Sequence, residues 1–270
     1  DLQSIHLTDC RLSLFERLIR AYRQEGVNNA YSYMLTRQGR MHRDIAIFPN
    51  QAFYDGKLVP VPLPYQEEHT PSTVQSLHGI DALLTTRRVA FVTYPEPRKK
   101  TWQYGDSDKV NLVEAKMIAA TVYRIYLSHQ GHFDKDRTVG VIVPYRNQIS
   151  TIRNEIDSYH IAELHDIMID TVERYQGSQC ENIIYGFTIQ KYYQMGFLAS
   201  NQYIDHVSGQ IIDRKLNVAM TRAMKHLVMI GQSALLCENV IFARLIDFCK
   251  RRKSFFEIAP DDFVSGAFSI

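Results

Sequence analysis

Apolar positions recur along this chain with two different periods. In LSLFERLIRAYRQE (12–25), Leu14, Leu18 and Tyr22 return every fourth residue with Phe15 and Ile19 beside them, which predicts an amphipathic helix. The periodicity is then lost up to about residue 85, where Pro49, Pro60, Pro62, Pro64 and Pro71 argue against long regular elements. From residue 88 short apolar runs alternate with helical stretches. Strands are expected over 88–95, 138–145, 167–172, 182–188 and 226–231, and helices over 109–129, 146–159, 213–223 and 240–252. Short buried strands interspersed with helices predict an α/β fold, a mostly parallel sheet covered by helices on both faces. The stretch 189–212 is polar and aromatic and reads as a long surface loop, where Tyr192-Tyr193 carry rings suited to stacking on bases but read instead as mobile or as loop packing. The expected organisation is a helix and loop-rich segment over 1–85, packed on a domain over 86–270.

Composition narrows this reading. With 45% apolar and 22% charged residues in 270, the chain has the makings of an ordered core. Lys and Arg number 31 against 29 Asp and Glu, so the net charge of +2 excludes a uniform cationic coat but leaves room for a local basic patch. The short basic runs Arg98-Lys99-Lys100 and Lys250-Arg251-Arg252-Lys253 read as solvated faces. Cys10, Cys180, Cys237 and Cys249 form no C-x-x-C pair, and no Cys/His cluster has zinc spacing. They are expected to be reduced core residues in a cytoplasmic setting. No apolar run approaches the roughly 20 residues that cross a bilayer, so no membrane partner is expected. The sequence opens on Asp rather than Met, and the chain is expected to be a piece of a longer protein.

In open α/β sheets ligands gather at the carboxyl ends of the strands. The residues flanking the expected strands are therefore the candidates: Pro144 through Gln148, Thr171 through Gln179, and Asn217 through Ala223. These stretches are rich in Arg, Gln, Thr and Gly, which suit phosphate oxygens and close backbone approach.

The same stretches carry a resemblance. LNVAMTRAMKHLVMIG (216–231) resembles motif VI of the superfamily 1 DNA and RNA helicases, IDTVERYQGSQCENIIYGFT (169–188) their motif V, and VGVIVPYRNQISTI (139–152) their motif IV region. RQGRMHRDIAIFPNQAFYDGKL (37–58) is similar to the Q-Y-R-M-H-P segment and its F-P-x-x-x-F-Y-x-G-x-L tail, and LSLFERL (12–18) to the segment after motif III. The branch resembled is that of the nonsense-mediated-decay helicase and the replication helicase-nuclease. Five motifs stand in order over about residues 12–235. No G-x-x-x-x-G-K-S/T phosphate loop is present: Gly56-Lys57 is the only Gly-Lys pair, and Gln51 stands where the first glycine belongs.

The resemblance implies the C-terminal RecA-like domain of such a helicase, of P-loop NTPase type but lacking the P-loop itself. ATP and Mg²⁺ would be bound jointly with the N-terminal RecA-like domain of the same protein, and single-stranded DNA or RNA would be the other partner. It implies arginine fingers at Arg40 and Arg222, nucleotide contacts at Gln38, Gly177 and Gln179, and nucleic-acid contacts at Pro144, Tyr145, Arg146, Thr171 and Asn217. Where the family places an adenine-stacking Tyr this chain has Gly39, and where it places a Glu this chain has Gln179. Those departures keep a second expectation open, a non-catalytic nucleic-acid-binding or interaction module derived from a helicase. The chain alone is expected to be inactive as an ATPase.

Overall fold

The computed structural model describes residues 33–75, 78–95, 109–204 and 209–270, together with Leu14, Phe15, Arg17 and Leu18. It divides into two units, Asp1–Arg37 and Gln38–Ile270. In the first, Leu14, Phe15, Arg17 and Leu18 are helical, as the spacing predicts. The rest of the expected helix over 12–25, Cys10 and the run Arg98-Lys99-Lys100 lie outside the described residues.

The second unit begins with α1 (Arg43–Phe53), an 11-residue helix where prolines argued against one. Pro49 sits inside it, and the helix persists because Ile45, Ala46, Phe48 and Ala52 bury one face against the sheet. Tertiary burial outweighs the local cost of about 3 kcal/mol for an interior proline. After α2 (Gly79–Thr86) come β1 (Val89–Thr93), α3 (Leu112–Ser128), β2 (Val139–Val143) and α4 (Arg146–Asp157). Next are β3 (Met168–Thr171), β4 (Cys180–Gly186) and a small antiparallel hairpin of β5 (Gln202–Ile204) and β6 (Ile211–Asp213). The chain closes with α5 (Arg214–Met220), β7 (Ala223–Ile230), α6 (Val240–Arg251), β8 (Phe255–Glu257) and α7 (Pro260–Ser265).

The main sheet has six strands in the order β8-β1-β7-β4-β2-β3, every neighbouring pair parallel. The five expected strands are all present, and β8 is a sixth. It escaped the pattern because FFE at 255–257 is three residues long and follows a basic run. Successive side chains divide between the two faces, as strand geometry requires. Phe91, Tyr185, Leu227 and Met229 pack with α1, α5 and α6, while Val92, Val141, Ile184 and Val228 pack with α2, α3, α4 and α7. Strands buried on both faces read as unbroken apolar runs, and so they were legible. The stretch 189–212 is less irregular than expected, holding two helical turns and the strands β5 and β6. Of the cysteines, Cys180 and Cys249 are buried and Cys237 is exposed, all three as free thiols.

Candidate functional site

Two separate constellations emerge, at opposite ends of the parallel sheet. The first is at the amino ends of β4 and β7. Gln38 clamps the turn before α1: its Oε1 accepts the backbone N–H of Arg40 (3.0 Å) and Met41 (2.8 Å), and its Nε2 donates to Met41 O (3.0 Å). Buried Gln66 reinforces the turn by donating to Gln38 O (3.1 Å) and Met41 O (3.0 Å). His42 then docks it on the sheet, its N–H donating to Met224 O at 2.8 Å. The His42 ring is fully buried, with Nδ1 accepting from Asp44 N (3.2 Å) and Nε2 facing Glu68 O (2.9 Å). Burial lowers its pKa, so the neutral Nε2–H tautomer fits both partners.

Thus anchored, Arg40 reaches across to the loop before β4 and the end of α5. Its Nε donates to Gln179 Oε1 at 2.7 Å and its Nη1 to Thr221 O at 3.1 Å. Arg222 donates from Nε to Val218 O (3.2 Å) and from Nη1 to Ser178 O (3.3 Å). Burial and then the charge of Arg40 depress its pKa, against an opposing effect of Tyr54. Both guanidiniums are half-buried, and their hydrogen-bond partners among the described residues are neutral oxygens. Among the described residues no carboxylate pairs with either. Each guanidinium carries five N–H donors, so three remain on each for an outside acceptor.

The position of this cluster departs from the expectation of carboxyl-end chemistry. The connection from β3 to β4, residues 172–179, is too short for a crossover helix and runs back along the sheet, carrying Gly177 and Gln179 to the amino end. Tyr175 anchors it, fully buried with its hydroxyl donating to Met168 O at 2.6 Å. Gly140 on β2 makes room, since a Cβ there would lie 2.3 Å from that hydroxyl oxygen. Gly177 has φ +98, and a Cβ would meet nothing within 4 Å. Backbone conformation rather than crowding is the constraint there.

Asn217 belongs with this cluster and not with the groove. Its Nδ2 donates to the Tyr54 hydroxyl at 3.1 Å, its buried Oδ1 has no hydrogen-bond partner, and it is absent from the groove lining. The reason is positional: it sits five residues before Arg222, on α5, which leads into the amino end of β7.

The second constellation is a cleft of about 660 Å³ at the carboxyl ends of β2 and β3. Pro144, Tyr145, Arg146 and Thr171 all line it, so four expected residues are brought together. Tyr145 is the N-cap of α4 and Arg146 its first residue, which aims the helix N-terminus and an exposed guanidinium at the cleft. Sequence reasoning missed Lys109 and Phe197, which also line it together with Arg174, which the candidate stretch 171–179 includes, and Tyr193, which reads as loop packing in the sequence. Glu173 is the acidic member, paired with Lys215 at 3.1 Å. Burial pushes its carboxyl up, but its own backbone N–H, Lys215 and Thr171 outweigh this and hold it below the usual range.

Behind the cleft lies a buried polar network with no cation among the described residues. Glu114, fully buried on α3, accepts from the Tyr94 hydroxyl (3.1 Å), Asn111 Nδ2 (3.3 Å) and Thr188 N (2.7 Å). Asn111 and Gln148 exchange a pair of bonds, 2.7 and 2.8 Å, that ties α4 to the start of α3. Burial pushes the Glu114 carboxyl up to about 8, against the donors from Thr188 and Tyr94. Thr188 holds φ +63, a backbone region that β-branched residues avoid. Nothing in the sequence separates Glu114 from an ordinary first-turn helix acid.

Among the described residues no group of three or more His, Cys, Asp or Glu is arranged to hold a metal. No helix among them is long and apolar enough to cross a membrane.

Comparison with known proteins agrees with this architecture. The family described as AAA domain (AAA_12) matches residues 10–234. The chain is similar to DNA polymerase alpha-associated DNA helicase A of Schizosaccharomyces pombe, 31% identical over 232 residues, covering 82% of this chain and 30% of that protein. It is also similar to helicase sen1 of the same organism, 28% identical, with 82% and 12% covered. DNA replication ATP-dependent helicase/nuclease DNA2 of Xenopus tropicalis is 29% identical, with 91% and 22% covered. The chain thus spans less than a third of the length of these relatives. The ordered motifs, the parallel sheet and the matched family converge: this chain belongs to the AAA_12 family of AAA domains and is a C-terminal RecA-like domain of the superfamily 1 helicases.

Proposed function

We propose that the chain is the second motor domain of an ATP-dependent DNA or RNA helicase. In this reading it completes an ATP site held mainly by an N-terminal RecA-like domain of the same protein, and contributes one side of a single-strand groove. The observation that carries it is the pair Arg40 and Arg222, half-buried, near enough for one charge to depress the other, and bonded among the described residues only to neutral oxygens. Two cations held together without an anion are a standing demand for one. A polyphosphate meets that demand, and ATP when bound supplies the phosphoanhydride that is hydrolysed. Arg40 and Arg222 would meet charge developing on its terminal phosphoryl oxygens, an effect worth roughly 10³–10⁵ in rate for such residues. Gln38 holds the Arg40 turn and Gln179 steers its Nε, so both position the finger as well as border the nucleotide. The Mg²⁺ ligands and the group that activates water belong to the partner domain in this reading. At the other end of the sheet, Arg146 and the N-terminus of α4 suit phosphates of a strand without reading its sequence. The loop 172–179 joins the two ends, and so links nucleotide occupancy to grip.

The test is ATP hydrolysis by the protein that carries both RecA-like domains, with and without single strands. Turnover stimulated by single strands is expected. Absence of hydrolysis in folded protein, with strand binding intact, would instead favour a non-catalytic binding module.

A further inference from the structure

The chain leaves β4 through a segment built as a fixed turn. Tyr192–Gln194 form one turn of 3₁₀ helix and Met195–Leu198 a turn of α-helix. Gln194 locks it from inside: it is buried, and its Oε1 accepts the backbone N–H of Gln190 (2.7 Å) and Lys191 (2.8 Å). Met195 and Leu198 enter the core beneath it. On this fixed base the two consecutive tyrosines part. Tyr192 is 66% exposed and Tyr193 59%, yet only Tyr193 lines the cleft. A tyrosine that serves packing is covered, as Tyr145 is with 7% exposure.

The ring has company suited to a planar ligand on a charged chain. Phe197 stacks on Tyr145 with centroids 4.8 Å apart and an 18° interplanar angle, and Lys215 Nζ lies 4.6 Å from the Phe197 centroid. Lys191 Nζ lies 6.0 Å from the Tyr193 centroid, and Lys109, Arg146 and Arg174 supply positive charge around the same cleft. Arg146 has no carboxylate partner among the described residues, whereas Glu173 is neutralised by Lys215. An apolar ring held open to solvent beside cations complements an uncharged aromatic base tethered to an anionic backbone.

We propose that Tyr193, held by the Gln194-locked turn and flanked by the Tyr145–Phe197 stack, is a stacking platform for unpaired bases of single-stranded nucleic acid. This rests on reading the cleft as a nucleic-acid groove. It assigns the segment 190–198 a direct part in gripping the strand, through base faces, where Arg146 acts through phosphates. Because every base has a flat face, the contact adds affinity without sequence choice.

The test is a fluorescence titration of the 270-residue chain with a labelled 12-nucleotide single strand, and with the same strand made abasic at its central positions. Tyr193→Ala is expected to weaken binding to the intact strand roughly 5- to 100-fold, the range of losing one stacked base. Tyr193→Phe keeps the ring and is expected to stay within about twofold of the parent, while Tyr192→Ala, off the cleft, changes nothing. The abasic strand is expected to bind the parent more weakly and to show no further loss with Tyr193→Ala. If Tyr193→Ala binds the intact strand like the parent while Arg146→Ala weakens it, the platform is overturned and the groove stands. If the folded chain binds no strand at all, or Arg146→Ala and Tyr193→Ala are both without effect, the groove reading fails and the platform with it.

Discussion

Glu114 is expected to make the stability of this chain fall as pH rises through neutrality. Its carboxyl is fully buried, faces three donors and no cation, and is pushed up to about 8. The folded state therefore holds a proton that the unfolded chain, with an ordinary carboxyl near 4.3, releases. Wherever the folded state binds more protons, stability declines with rising pH. The contribution is full below about pH 4.3 and is lost as pH climbs through about 8. Between pH 6.5 and 8 the loss is roughly 1.5 kcal/mol, a sizeable part of an ordinary domain's stability.

In that window the difference between parent and Glu114→Gln isolates the effect. His226, pushed down to about 3 by burial and then by nearby cations, has the opposite sign and still gains about 0.4 kcal/mol between the unfolded value near 6.5 and pH 8. His42 and His78, also lowered by burial, behave alike. Cys180 and Cys249, pushed up to about 12 by burial, start to matter only as an unfolded thiol ionises, above about pH 8. The assay is urea unfolding at half-unit pH steps. The parent is expected to be most stable near pH 7 and to decline above it, and Glu114→Gln to lack that decline, so that the stability difference between the two shifts by roughly 1.5 kcal/mol from pH 6.5 to 8. Equal declines in parent and variant would refute the assignment of the proton to Glu114.

Three further expectations follow from particular contacts. The 270-residue chain alone releases no phosphate from ATP above background, because it has no phosphate loop; turnover near 1 s⁻¹, the low end for phosphoryl transfer, would contradict this. Binding of single strands by the chain is weak and loses affinity as salt rises, and Arg146→Ala reduces the magnitude of the salt slope by about one, read by titration at several salt concentrations. Gly140→Ala places a methyl 2.3 Å from the Tyr175 hydroxyl and costs roughly 1–3 kcal/mol in urea unfolding; an unchanged midpoint would mean the loop 172–179 does not depend on that fit.

What was legible in the sequence was set by burial. β1, β2 and β4 are covered on both faces, so VAFVT, VGVIV and the apolar part of CENIIYG stand out as uninterrupted apolar runs. α1 was hidden, because Pro49 signals a break locally while the packing that overrides it comes from residues far along the chain. The same holds for the site. Arg40 and Arg222 were marked by their motifs, but their convergence depends on the docking of His42 on Met224, a contact between distant positions. Asn217 reads in the sequence both as a groove residue and as one that orients the loop or holds the fingers, and it lies beside Tyr54. Tyr193 and Tyr192 are indistinguishable as letters, and only the Gln194 turn sends one of them to the cleft.

The central claim is that Arg40 and Arg222 act on the transition state of ATP hydrolysis. It is tested most directly by steady-state kinetics of the protein carrying both RecA-like domains, at saturating single strands, with circular dichroism confirming each variant is folded. Contacts made mainly in the transition state set kcat, so Arg222→Ala is expected to lower kcat on the order of 10²-fold or more while KM for ATP changes little. Arg40→Ala is expected to behave alike, and Arg222→Lys to restore little, since an ammonium lacks the planar fork. Folded Arg40→Ala and Arg222→Ala proteins that both keep near-parental kcat would contradict the account.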